Sequence, residues 1–411
     1  MPSPLDSPPA PPLAPPNSPR ALSQAAQLAF AGVVMTTLLI TLGGLVTNTD
    51  SGLACPDWPT CFGTPFPKMV GGVLLEHGHR YLATAVGLVA VLCVWLSGSG
   101  APRLVALLLS MPLILGAGTW AGIARHRTGA VPAAAGLLVL AGYAAGLWAL
   151  ARARGVGRLS QAALLLVISQ GLLGGLTVMY QLPVTVLVLH TATSMLFLSV
   201  LLWLAISLRH AARAARAGPA GQVARAAAAS PANSGALLAR AEGARLLTLA
   251  GAAVYLQILL GATVRHTGAG LVCTDLPWCK GALWPTGVHP AVHLHMVHRS
   301  FALLVAALVV LVGLRAAREA AAVGDRAARL VALALPALVA VQLALGVLTI
   351  WSLKELWTVT AHLLVAALLL AGCVALRAWA ALGAAAGEDA SPADALSEIP
   401  DAALAASGRT A

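Results

Sequence analysis

The chain has 411 residues, 59% of them hydrophobic and only 9% charged, with a mean hydropathy of +0.85. A soluble domain of this size needs far more polar surface, so the composition points to an all-α polytopic membrane protein. The formal net charge of +11 resides in Arg-rich connectors with no aromatic-interleaved basic face. It therefore reports topology, and no nucleic-acid partner is expected.

Residues 1–27 open with a Pro-rich stretch and lack the basic n-region and apolar core of a signal peptide. They are expected to form a disordered cytoplasmic tail. Bilayer-crossing helices need about 20 apolar residues, and ten stretches qualify: 28–46, 76–96, 104–123, 131–150, 161–179, 184–204, 246–264, 297–314, 330–350 and 358–376. Arginines collect at Arg152, Arg154 and Arg158, again between Arg209 and Arg245, and again between Arg315 and Arg329. These connectors alternate correctly if both termini are cytoplasmic and the two cysteine-bearing loops lie outside. Arg125 and Arg127 then fall outside too, a mild violation. Residues 208–244, rich in Ala, Arg and Gly, suit a flexible cytoplasmic linker. Residues 379–411 are expected to be a second disordered tail.

The two sides of the linker repeat one another. Residues 50–61, with Cys55 and Cys61, match residues 268–279, with Cys273 and Cys279. The segment at Gln170 matches that at Gln342, and His190 or His362 follows its Gln by 20 positions. The His79 to His190 interval exceeds the His298 to His362 interval by 47 residues, about the length of an inserted helix pair with short loops. The expected architecture is two pseudo-repeated four-helix bundles, at 28–207 and 245–378. The inserted pair would lie within 98–158 of the first. Each bundle carries one histidine near the outer end of its second helix and another near the outer end of its fourth.

Of the 11 histidines, five fall in connectors and need no special reading: His210 in the linker, and His126, His266, His289 and His293 in outer loops. His190 and His362 are embedded in apolar runs, where an ionisable side chain is costly and marks a functional site or a hydrogen bond between helices. Paired with His79 and His298 at matching depth, they suit axial ligation of haem iron between facing helices. Two ligands per pair are too few for a closed zinc site. His77, His293 and His295 crowd these ligands, but His79 and His298 occupy equivalent positions, each before an arginine. Arg80 and Arg299 could hold haem propionates or simply snorkel to the membrane boundary. Each outer loop can close its own disulfide over a pocket, Cys55–Cys61 and Cys273–Cys279. A redox-active role for the first pair is the alternative to a structural one. Cys93 and Cys373 read as apolar filler.

Acids are scarce, 14 in all, and Glu76 lies at the mouth of an apolar span on the face of His79. A desolvated carboxylate there should sit above the usual carboxylate range and suit proton transfer or stabilisation of positive charge; the alternative is a helix N-terminal acid facing the macrodipole. Its counterpart in the second half is His295, so the halves are expected to differ in task.

Together the Gly52–Cys61 loop, Glu76-His77-Gly78-His79-Arg80, the Gln170 and Gln342 segments, and His190, His298 and His362 resemble the haem A synthase family, in its bacterial form with cysteine pairs in the outer loops. The resemblance implies oxidation of the C8 methyl of haem O to a formyl group through hydroxylated intermediates, serving terminal oxidase assembly. It implies substrate haem O between His79 and His190, with Glu76 as the catalytic acid, and a haem b cofactor between His298 and His362. It also implies a plasma-membrane location among lipid. Haem O synthase, an electron-transfer partner and a second copy of the chain are the candidate protein partners. The inserted helices depart from the family's eight-helix pattern. A di-haem b electron carrier without substrate chemistry shares both histidine pairs but gives Glu76 no task. A transporter fits less well, because no Pro/Gly-interrupted helix pair appears at matched midplane positions.

Overall fold

A computed structural model describes residues 17–123, 130–228 and 241–388. Arg125, His126 and Arg127, the first 16 residues, the middle of the expected linker and the end of the second tail lie outside them. Among the described residues the chain is helical, with α1 (Pro19–Asn48), α2 (Gly71–Ser97), α3 (Gly100–Leu104), a π-helical segment (Val105–Ser110), α4 (Met111–Ile123), α5 (Ala130–Arg152), α6 (Gly155–Met179), α7 (Val184–Ala228), α8 (Ala241–His266), α9 (Pro290–Ala322), α10 (Arg326–Trp351) and α11 (Leu356–Glu388). Among the described residues ten helical stretches are long and apolar enough to cross a membrane, as the hydropathy pattern predicts, and the protein is a multi-pass helical membrane protein.

Packing divides these helices into two rings. In the N-terminal half α1 packs on α2 and α7, and α6 closes the ring between α7 and α2. In the C-terminal half α8, α9, α10 and α11 close in the same way. Helices α2 and α7 therefore occupy opposite corners of one ring, and α9 and α11 opposite corners of the other. The extra segment α3–α5 lies outside the first ring, against α6 and α2. It is tied there by the Tyr143 hydroxyl, 2.8 Å from the Ser169 hydroxyl.

The halves meet where α1 and α7 pack on α11 and α7 on α8. A polar chain crosses this seam: Arg265 donates to Asn48 Oδ1 at 2.5 Å and to the Gly44 carbonyl, and Asn48 donates to Thr360 at 3.0 Å. Buried groups of this kind need partners in an apolar medium, and here each finds one in the other half.

Helix ends run past the apolar stretches that define the spans. Helix α1 begins at Pro19, where Ser18 Oγ accepts from the Ala21 N–H at 3.1 Å, an N-cap followed by a proline at N1. Helix α7 continues to Ala228, so the first part of the expected flexible linker is helical, as its alanines and arginines favour. Likewise α11 continues to Glu388, into the expected tail. His266 is the last residue of α8, and His289 caps α9; both belong to helix ends rather than open loops.

Candidate functional site

Each of the four histidines faces a glycine on the neighbouring helix. A Cβ on Gly43 would stand 3.0 Å from the His79 ring, and one on Gly261 would stand 2.9 Å from the His298 ring. The corresponding distances are 3.3 Å from Gly346 to His362 and 3.6 Å from Gly174 to His190. The first three leave no room for even a methyl group without displacing the imidazole, and the fourth is ordinary contact. Gly43 and Gly261 precede the first cysteine of their half by the same interval, and Gly174 and Gly346 precede their histidines by the same interval. This fourfold pattern was legible as a repeat spacing. Its meaning emerges only when the helices are packed side by side.

The imidazoles also fit iron by their hydrogen bonding. Nδ1 of His79, His190 and His362 is buried without a hydrogen-bond partner, so a ligand-binding task is open to these rings. His79 lies within electrostatic range of His190, and His298 of His362, across their rings. His266, from the C-terminal half, comes within range of His190; nothing in its sequence setting marked it. The crowding histidines are occupied elsewhere. His77 Nε2 is 3.0 Å from the Pro65 carbonyl. His293 Nε2 is 2.9 Å from the Pro285 carbonyl, with its ring stacked on Trp284. His295 accepts from Arg299 Nε at 3.2 Å.

The outer loops are built alike. Cys55 and Cys61 are joined, as are Cys273 and Cys279, and each second cysteine pairs in a small antiparallel bridge, with Thr64 or Ala282. A cis peptide precedes both Pro59 and Pro277. Asp57 closes its loop by accepting from the Phe62 and Gly63 amides at 2.6 and 3.0 Å and from the Thr60 hydroxyl. Partial burial opposes its charge, but the Thr60, Gly63 and Phe62 donors outweigh it and hold the carboxyl below the usual aspartate value. Trp58 reaches from this loop onto α6, where a Cβ on Gly175 would stand 2.9 Å from its ring.

An arginine latches each loop to its helix. Arg80 donates to the carbonyls of Asp57 and Thr60 at 2.8 and 2.6 Å and to Glu76 Oε1 at 2.6 Å. Arg299 donates to the carbonyls of Asp275, at 2.9 Å, Trp278 and Cys273, and to His295. Both guanidinium groups are thus engaged in holding loops, a task that sequence reasoning missed while weighing propionates and snorkelling.

Glu76 is buried, 5% exposed, at the junction of α2 and its loop. Its Oε2 accepts from the Cys55 amide at 2.7 Å, while Oε1 meets Arg80. The burial expected from sequence is present, but the acid is paired on both oxygens rather than isolated. One helical turn separates it from His79, so the structure gathers loop, acid and imidazole at one end of α2. His295 repeats the position on α9 without a charge of opposite sign to offer Arg299.

A family model described as cytochrome oxidase assembly protein matches residues 26–71 and 69–374. The haem A synthase of Symbiobacterium thermophilum is 29% identical over 286 residues, covering 69% of this chain and 72% of its own length. Those of Shouchella clausii and Bacillus licheniformis are 26% and 25% identical over 276 and 297 residues. They cover 66% and 70% of this chain and 69% and 75% of their own. The family match runs through both halves and takes in all four cradled histidines, both cysteine loops and Glu76, which leaves one conclusion: the chain belongs to the haem A synthase family of cytochrome oxidase assembly proteins.

Proposed function

We propose that the protein is a haem A synthase, an oxidoreductase of haem biosynthesis that converts the C8 methyl of haem O to a formyl group. Haem O is the substrate of the N-terminal half, held between His79 and His190. The C-terminal half holds haem b between His298 and His362, and that haem supplies one-electron transfer when bound. The observation that carries the assignment of tasks is Glu76, one turn from His79 and without a carboxylate counterpart in the second half.

The residues of the chain divide the work. Gly43 and Gly174 let α1 and α6 approach closely enough to fix the two substrate-binding imidazoles. Arg80 and the Cys55 amide orient the Glu76 carboxylate, leaving its free lone pairs to hold a proton or face positive charge developing beside the substrate ring. The Cys55–Cys61 loop, with Trp58 packed on Gly175, covers that end of the bundle and limits water access. Arg80 and Arg299 remain candidates for propionates through donors not spent on the loops. The termini are assigned to the cytoplasm and the cysteine loops to the outer side of a plasma membrane, on the arginine distribution.

The test is to express the chain with a haem O source and extract its pigments. Formyl haem is the expected product. In Glu76→Gln, both haem spectra should persist while formation of formyl haem falls by about a hundredfold or more. Bound but unaltered haem O in a reducible, haem b-replete wild-type sample would overturn the enzyme reading and leave a di-haem electron carrier.

A further inference from the structure

The two halves differ in what meets the imidazole nitrogens. On α8, Gln257 places Nε2 3.0 Å from His298 Nδ1 and 2.9 Å from the His298 carbonyl. Gly261, which cradles the same ring, lies one turn further along α8, so amide and cradle share a helical stripe. Gln257 Oε1 is buried with no hydrogen-bond partner. On α10, Gln342 Nε2 lies 3.3 Å from His362 Nε2 of α11.

The N-terminal half has no such arrangement. Leu39 takes the place of Gln257 on α1 and offers no side-chain amide. Gln170 donates to the His190 carbonyl at 3.1 Å, and its oxygen is occupied by the Thr193 hydroxyl at 2.7 Å. Thr193 has Val365 as its counterpart, so nothing comparable restrains Gln342.

We propose that Gln257 is a positioning residue that makes the C-terminal half the retaining haem site, by hydrogen-bonding the His298 nitrogen that does not bind iron. This rests on the reading that His298 and His362 hold a haem. Ligation through Nε2 leaves the proton on Nδ1. A rotated Gln257 amide then presents Oε1 to that proton, giving up its donation to the His298 carbonyl in exchange. An imidazole held this way is fixed in orientation and is a stronger donor to the metal, which favours the ferric state. The Leu39 side chain provides no such amide, and only its backbone carbonyl meets the His79 ring, which suits a half whose haem must enter as substrate and leave as product.

The experiment uses full-length, haem-loaded protein, with apomyoglobin as haem acceptor and a redox titration of the C-terminal haem. In Gln257→Leu, partition of that haem to apomyoglobin should rise by about ten- to a hundredfold, and its midpoint potential should rise. In Gln257→Glu, which keeps an acceptor oxygen, the haem should be retained and the midpoint should fall below wild type. A merely structural role would move both variants in the same direction. Leu39→Gln should slow loss of haem from the N-terminal half. If both Gln257 variants leave partition and potential unchanged while His298→Ala still removes the C-terminal haem, the inference fails alone. If His298→Ala keeps its full complement of haem, the ligand assignment fails with it.

Discussion

One turn before its first cradled histidine, the N-terminal half carries Glu76 and the C-terminal half His295; the next residue is His77 in one and Met296 in the other. The arginine that follows each histidine reaches back to these residues and to its own cysteine loop. In the first half the latch is an ion pair with side chains 14% and 6% exposed; in the second it joins a guanidinium to an imidazole. Backbone, disulfide and latch are thus common to both halves, and the polar groups next to the ring nitrogens are not. The repeat gives both halves one frame around a pair of cradled histidines. Under the proposed function, substitutions at a few inward positions would separate a reacting site from a relay.

Substitutions at the cradles should break the comparison most severely. In Gly43→Val the first added carbon already stands 3.0 Å from the His79 ring, before the two methyl groups are placed. The variant should lose the N-terminal haem and all formyl product while the C-terminal haem spectrum persists. Gly261→Val should do the reverse to the spectra, read by haem content per chain. Next come the latches. Arg80→Ala strands a buried carboxylate, and a loss of about 3 kcal/mol is expected, measured by thermal unfolding in micelles. Arg299→Ala removes hydrogen bonds to neutral acceptors and should cost on the order of 1 kcal/mol; equal losses would erase the distinction between the two latches. His295→Ala should leave formyl formation unchanged, in contrast with Glu76→Gln. The smallest effect is in the loops. The Asp57 carboxyl titrates below its ordinary 3.8 in the folded loop, so its contribution is complete above that pH and disappears as pH falls through the lower folded value. Hydrogen exchange of residues 55–64 should loosen by under about 1 kcal/mol over that acid range, and Asp57→Asn should abolish the dependence.

Much of this was legible in the chain. Long apolar stretches marked the ten membrane helices, because the bilayer sets their length. The repeated cysteine and histidine intervals marked the two disulfide loops and the four histidines that the packed helices cradle. The inserted pair followed from comparing His79–His190 with His298–His362. What stayed hidden depends on contacts between segments distant in sequence. Arg80 reads as a boundary arginine until Thr60 is folded over it. Glu76 reads as an unpaired acid until the Cys55 amide arrives. Gln257 looks like an ordinary polar residue in a span, since the imidazole it meets is on another helix. The ends of α1 and α7 were missed for a different reason: apolarity locates the bilayer, while alanine and capping carry the helix beyond it.

Helix α7 has 45 residues, which at about 1.5 Å per residue gives about 67 Å, longer than the roughly 40–45 Å of a whole bilayer. Helix α7 therefore extends beyond the membrane on the side opposite the cysteine loops. Contact between the two halves falls to the seam formed by α1, α7, α8 and α11 and its Arg265–Asn48–Thr360 chain. In genetic terms the gene is divisible: two polypeptides separated beyond Ala228 and co-expressed should assemble into one working pair.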